Sequence, residues 1–318
     1  MNLEVLKATA QEMVSDYRGL LAADESTGTI KKRFDTINVD STEDKRRDYR
    51  EMLFRAEGLG KYISGTILYD ETLRQSAKDG TRLADLLKSQ NIIPGIKVDT
   101  GAKPLAGSAG ETVTEGLDGL TERVAEYVGL GARFAKWRAV INIADDKPTD
   151  YAIGVNAYGL ARYARICQEG GLVPIVEPEV LMDGSHDIDA CQAATERTLN
   201  AVFEALFQQG VALEGMILKP NMVISGSDCS SQADADTIAR MTVETLRRCV
   251  PAAVPGIMFL SGGQTEVEAT LNLNAMNQKY GPNPWALSYS YGRALQAGAL
   301  KAWVGKDENE RAAQEVLL

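Results

Sequence analysis

Short runs of apolar and β-branched residues recur along the chain at intervals of roughly thirty to forty residues, a spacing that suits strand–helix units. They fall at Gly19–Ala23, Ile63–Tyr69, Ile92–Val98, Phe134–Val140, Leu172–Glu177, Gly215–Lys219, Gly256–Ser261 and Leu287–Tyr291. Between them the apolar residues take up helical spacing. Tyr49, Met52, Leu53 and Ala56 mark one face among charged neighbours, and Ser41 with Asp44 three positions later predicts a capping box at the start of that helix. Further helices are predicted over Leu120–Leu130, Ala157–Glu169, Asp187–Gln208, Asp234–Cys249, Gln264–Asn274 and Gly292–Val304, with an extra one, Leu3–Tyr17, ahead of the first strand. The Gly- and Thr-rich stretch Gly101–Gly119 reads as an excursion rather than a linker. Strands alternating with helices in this way favour one α/β domain over residues 1–318, a closed (β/α)8 TIM barrel, rather than an open doubly wound sheet.

In such barrels the reactive groups sit at the C-terminal ends of the strands, and residues two apart on a strand share a face. Charges and hydroxyls recur at those ends. The first run closes with Asp24, Glu25 and Ser26; the third has Lys97 and Asp99, the fourth Lys136 and Arg138, the fifth Glu177 and Glu179. The sixth ends in Lys219-Pro220, the seventh in Ser261-Gly262-Gly263 and the eighth in Ser290-Tyr291-Gly292-Arg293. A single charge near a strand end is usually a solvated rim residue. Lys136, Glu177 and Lys219, however, lie inside apolar or aromatic runs, where an unpaired charge is costly. Their convergence on one barrel mouth favours a functional cluster.

Two lysines beside carboxylates point to amine chemistry. A free lysine has a pKa of about 10.4, and burial or a neighbouring cation lowers it toward the neutral amine that attacks a carbonyl. Lys219 as nucleophile with Lys136 as its cationic neighbour fits this scheme, although spacing alone also allows the reverse. Glu177 and Asp24 are candidates to move the protons of carbinolamine formation, dehydration and bond cleavage. The turns Ser261-Gly262-Gly263 and Tyr291-Gly292-Arg293 expose backbone N–H groups ahead of predicted helices, where phosphate binds in barrels of this kind. Arg293 adds a charge-assisted hydrogen bond there. Lys97, Lys136 and Arg138, with the hydroxyls of Ser26 and Thr29, form a second candidate phosphate site.

Composition narrows the partners. A formal net charge of −10 argues against nucleic acid, while a local basic pocket can still focus its field on a small anion. His186 is the only histidine, which nearly closes the route to a metal held by two or three imidazoles. Cys167, Cys191, Cys229 and Cys249 form no CxxC pair, so no disulfide framework is expected and a reducing cytoplasm fits. The polar stretch Met1–Tyr17 is unlike a signal peptide, and no apolar run reaches the roughly eighteen residues of a membrane span.

The segments LLAADESTGTIKKR, GIKVDTGAKPLAG, FAKWRAVI, VPIVEPE, LEGMILKPNM, FLSGGQTE, NPWALSYSYGRALQ and ALKAW resemble class I fructose-1,6-bisphosphate aldolase, from about Leu20 to the last residues. The resemblance is to the Schiff-base class, which uses no metal or organic cofactor. It implies that Lys219 forms the Schiff base, that Glu177 is the acid and base of carbinolamine dehydration, and that Asp24 deprotonates the C4 hydroxyl. Lys136 would support imine formation, and Glu179 would help set the charge of the lysine cluster. Ser261, Gly262, Gly292 and Arg293 match the site of the C1 phosphate, with Ser290 beside them. Ser26, Thr29, Arg33, Lys97 and Arg138 fall where the C6 phosphate or the sugar chain is held. The expected partner is a phosphorylated sugar, and the expected assembly is a homotetramer. Many members continue into a flexible tail whose terminal tyrosine assists enamine protonation. This sequence stops at Glu315-Val316-Leu317-Leu318, so bond cleavage is expected to survive while proton exchange on dihydroxyacetone phosphate is slowed.

Overall fold

A computed structural model describes the chain from Met1 to Leu318. Its strands are β1 (Gly19–Ala23), β2 (Ile63–Leu68), β3 (Ile93–Lys97), β4 (Gly101–Pro104), β5 (Thr112–Glu115), β6 (Phe134–Ile141), β7 (Val173–Val180), β8 (Ile217–Leu218), β9 (Gly256–Phe259) and β10 (Ala286–Tyr291). All but β4 and β5 close a parallel barrel in the order β1-β10-β9-β8-β7-β6-β3-β2. The expected closed barrel is therefore present, with each predicted strand in its predicted place.

Strand parity builds both the core and the site. Leu20 and Ala22 of β1, Ile93 of β3, Phe134 of β6, Val173 and Ile175 of β7, Ile217 of β8 and Met258 of β9 pack together in the barrel interior. The helix Leu3–Met13 closes the bottom with Leu6, Ala10 and Met13. Continuing with the same parity up each strand reaches Asp24, Lys97, Lys136, Arg138, Glu177, Glu179 and Lys219. An apolar floor thus passes directly into a charged upper layer. Phe134 fills so much of the interior that its neighbours on β3 and β2 are glycines. A Cβ on Gly95 would lie 2.1 Å from its ring, and one on Gly65 would lie 2.9 Å away.

Two local expectations are corrected, and a third gains detail. The sixth barrel strand is only Ile217–Leu218, because Leu213–Gly215 turns as a 3-10 helix and Pro220 has no N–H to extend the ladder. The pairing still reaches the next residue, where the Lys219 N–H donates to the Val176 carbonyl at 2.8 Å. The helix Glu43–Phe54 is capped by Thr42, whose hydroxyl accepts from the Lys45 N–H, while the Ser41 hydroxyl is buried without a partner. A full capping box occurs instead at Thr265 and Glu268, ahead of the helix Glu266–Lys279. The excursion after β3 is an antiparallel hairpin of β4 and β5, tied to β6 by the Thr114 hydroxyl on the Arg138 carbonyl at 2.7 Å.

Candidate active site

A cavity of about 690 Å³ opens at the C-terminal end of the barrel. Lys219, Glu177, Asp24, Lys136 and Glu179 line it, as do Ser26, Thr29, Arg33, Lys97, Arg138, Ser261, Gly262, Ser290, Gly292 and Arg293, while Gly263 and Tyr291 of the two glycine turns do not. Nearly all arrive by strand parity or from the first turn after a strand. The hydroxyl of Ser26 caps the helix Thr27–Asp35, which the sequence pattern did not reveal, and lies 3.1 Å from the Thr29 hydroxyl. Gly263 adopts φ +74°, a left-handed conformation open to glycine, and Met182 packs so closely that a Cβ on Gly262 would lie 2.3 Å from its Cε.

At the centre, four buried charges alternate in sign. The Lys219 Nζ lies 3.0 Å from Glu177 Oε1, and the Lys136 Nζ lies 2.8 Å from Glu177 Oε2. Lys136 also donates to Asp24 Oδ2 at 3.1 Å. Burial alone raises the Asp24 carboxyl, yet the ammonium groups of Lys136, Lys219 and Lys97 outweigh it and hold Asp24 well below the usual carboxylate range. Glu177 behaves alike: burial raises it, and Lys136, Lys219 and Arg138 bring it below its ordinary value. Burial lowers Lys136, but Asp24, Glu177 and Asp99 raise it above a free lysine, so it stays a cation at neutral pH. The group adjoining Lys219 is thus a firmly charged ammonium across one carboxylate.

Toward β3 and β6 the neighbouring charges pair off. Arg138 is bonded to Glu179 and Lys97 to Asp99, the latter at 2.8 Å. Asp99 also accepts from the Gly101 and Arg138 N–H groups at 3.1 and 3.2 Å, which ties the hairpin to β6. Glu179 makes no ion pair with either central lysine; its partner is Arg138. Arg33, grouped from the sequence with Ser26 and Thr29, turns toward the other end of the cavity. Glu25 holds its guanidinium, and a Cβ on Gly292 would lie 3.7 Å from its Nη2. The Ser290 hydroxyl is buried without a protein partner. No group of three or more His, Cys, Asp or Glu side chains is arranged to hold a metal ion.

Several lining residues went unassigned in the sequence. Lys32 and Lys301 stand on helices with nothing to distinguish them from solvated lysines, and Gln296 is one of many amides. Asp99 had the better signal, standing two residues after Lys97. Asn221, within LKPNM, accepts from the Val180 N–H at 3.0 Å and donates to Thr195, which braces β7 against the loop after Lys219.

The chain matches the model of the family "Fructose-bisphosphate aldolase class-I" over residues 5–318. It is 58% identical over 315 residues to fructose-bisphosphate aldolase 1 of Toxoplasma gondii, covering 98% of this chain and 86% of that one. It is 56% identical over 313 residues to the cytosolic fructose-bisphosphate aldolase 4 of Arabidopsis thaliana, covering 98% and 80%. Its structure superposes with a TM-score of 0.97 and 54% identity on the Plasmodium falciparum aldolase solved with TRAP and a small-molecule inhibitor, covering 99% of this chain and 91% of that one.

Proposed function

Because the chain belongs to the class-I fructose-bisphosphate aldolase family, we propose that it reversibly cleaves fructose 1,6-bisphosphate to dihydroxyacetone phosphate and glyceraldehyde 3-phosphate through a Schiff base on Lys219. The observation that carries the assignment of roles is the chain Lys219–Glu177–Lys136–Asp24, buried at the barrel mouth with each link within 3.1 Å. Lys219 Nζ attacks C2 of the open-chain ketose. Glu177, in contact with that nitrogen, takes the proton that Nζ loses on attack and returns it to the departing carbinolamine hydroxyl, which leaves as water as the iminium forms. The iminium then draws the electrons of the C3–C4 bond toward nitrogen, and Asp24 takes the C4 hydroxyl proton as the aldehyde leaves. The enamine on Lys219 is protonated at C3 and hydrolysed to release the ketone. Lys136 bridges both carboxylates and keeps them ionised between proton transfers. The phosphates supply binding energy and position C2 without being transformed.

In the same proposal, residues 1–318 act as one domain. That is supported by the helix Leu3–Met13 plugging the barrel and the helix Glu310–Leu317 packing on the helices Glu43–Phe54 and Arg293–Trp303. No helix is long and apolar enough to cross a membrane; the proposed setting is the cytoplasm, and the proposed assembly is a homotetramer, testable by light scattering. The decisive experiment is borohydride reduction with dihydroxyacetone phosphate in the presence of chelator, followed by peptide mapping. A reduced adduct on Lys219 is expected. No adduct, or one on Lys136 or Lys97, would refute the assignment.

A further inference from the structure

Behind the wall that carries Asp24, Ser26 and Arg33 lies a polar cluster with no part in the bond-making steps above. Glu25 is buried, and its carboxylate faces two guanidiniums: Arg33 on Oε1, and Arg50 with Nη2 3.1 Å from Oε2. The Gln296 amide donates to Oε1 at 2.9 Å. Arg50 and Gln296 are each 1% exposed, so neither offers much surface to a ligand. Neither arginine has another carboxylate within ion-pair distance. One negative charge therefore serves two positive ones, and a plain structural ion pair would be complete with either arginine alone.

The same two side chains grip the backbone on both sides of Asp24. Gln296 donates to the Ala22 carbonyl at 2.7 Å, while Arg50 donates to the Glu25 carbonyl at 3.1 Å and reaches the Ala23 carbonyl at 3.4 Å. The Tyr49 hydroxyl donates to Gln296 Oε1 at 3.0 Å, which fixes the way the amide faces. Gln296 stands in the first turn of the helix Arg293–Trp303, with its own N–H on the Gly292 carbonyl. The cluster thus joins the end of β1 to the helix N-terminus that presents Gly292 and Arg293, and its one solvent-side member, Arg33, lies against Gly292.

We propose that Arg50 and Gln296 are positioning residues for one phosphate of the substrate. Acting through Glu25 and the β1 carbonyls, they hold the Arg33 guanidinium beside Gly292 and Arg293. A sugar phosphate at that end then meets two guanidiniums and a helix N-terminus in one fixed geometry. The inference rests on the aldolase reading above and deepens it, because it says which phosphate depends on these two residues: the one seated at Gly292, carried by dihydroxyacetone phosphate.

Run toward bond formation, the reaction separates the two phosphates onto two substrates, which makes the inference testable. Gln296→Met keeps the length of the side chain and removes its three hydrogen bonds. Gln168→Met is the matched control. Gln168 is also buried with three hydrogen bonds to backbone, at Ala212 and Gly215, but lies at the opposite end of the barrel. For Gln296→Met the KM for dihydroxyacetone phosphate should rise about tenfold, the scale of one misplaced charge-assisted hydrogen bond. The KM for glyceraldehyde 3-phosphate and kcat should stay within about twofold, as every kinetic constant should in Gln168→Met. Arg50→Lys, which keeps the charge but not the fork, should show the same split, and it decides the matter if Gln296→Met does not fold. A lowered melting temperature with unchanged KM values, as in the control, would make the cluster merely structural and overturn the inference; so would a parallel rise in both KM values. Failure of the aldolase reading shows itself differently, as absence of a borohydride adduct on Lys219 in the unaltered protein.

Discussion

Replacing Lys136 by methionine tests the electrostatic account of the site most sharply. Its ammonium lies 3.1 Å from Asp24 and 2.8 Å from Glu177, and the three side chains are only 6%, 13% and 3% exposed. Removing one partner of such a buried set costs about 3–5 kcal/mol, because Asp24 loses its one ion-pair partner and Glu177 is left with Lys219 alone. A carboxyl that takes up a proton escapes part of that cost, so the loss must depend on pH. In the intact protein Asp24 and Glu177 are both held below their ordinary pKa values against the opposing effect of burial. Groups of that kind contribute stability above their unfolded pKa of about 4 and lose it only as pH falls further through the lowered folded value. Their contribution is therefore flat between pH 5 and pH 8. Lys136, raised above a free lysine, keeps its contribution below about pH 10, outside the same window. In the variant only Lys219 and Lys97, neither within ion-pair distance, still oppose burial at Asp24, and the expected outcome is that its carboxyl rises above its unfolded value. That group binds a proton in the native state alone, so stability now falls as pH rises from about 4 through the raised pKa. Denaturant unfolding at pH 5 and pH 8 measures the result: the gap between the two proteins should widen by at least about 1.4 kcal/mol at pH 8, one pKa unit's worth. A gap that is equal at both pH values, or a total loss under about 1 kcal/mol, would refute the reasoning.

Asp24→Asn keeps the shape of the side chain but cannot take the C4 proton. Cleavage should slow by about 10²–10⁴-fold, while borohydride still traps dihydroxyacetone phosphate on Lys219; loss of the adduct as well would show that Asp24 acts earlier. Gly95→Ala drives a Cβ into the Phe134 ring and should cost about 1–3 kcal/mol by overpacking. Adding Phe134→Leu should recover part of that loss in calorimetric unfolding, and strict additivity of the two changes would contradict the contact.

The barrel strands were legible because each buried run is bounded by glycine, proline or charge, and because period-two parity carries a strand from apolar floor to polar rim. That parity explains why Lys97, Lys136, Glu177 and Lys219 could be placed at one mouth. Features set by partners distant in sequence were not legible. Arg50 lies among Arg46, Arg47, Asp48 and Glu51 and looks solvated, yet it is buried because Glu25 waits for it across the β1 turn. The helix Thr27–Asp35 buries only Ile30 and Phe34, too few apolar residues to show a period. The two-residue β8 depends on Pro220, whose lack of an N–H matters only once its neighbours are known. Arg33 groups with Thr29 by its i, i+4 spacing, and its contacts with Glu25 and Gly292 depend on partners that this spacing does not show.

The pairing pattern also separates the two ends of the cavity. Lys97 is matched by Asp99 and Arg138 by Glu179, so a phosphate at that end must compete with carboxylates already in place. At the other end Arg293, Lys32 and Lys301 have no carboxylate within ion-pair distance, and Glu25 neutralises only one of its two arginines. The unspent positive charge therefore gathers between the helices Thr27–Asp35 and Arg293–Trp303, where the N-terminal amides at Gly292 add to it. In a chain of net charge −10 this asymmetry gives an incoming bisphosphate a preferred orientation. In the proposed binding mode one phosphate meets the unpaired cations near Gly292, and the other displaces the carboxylates paired with Lys97 and Arg138. In the proposed reaction, the carbonyl carbon that Lys219 meets is then set by the end that costs least to reorganise.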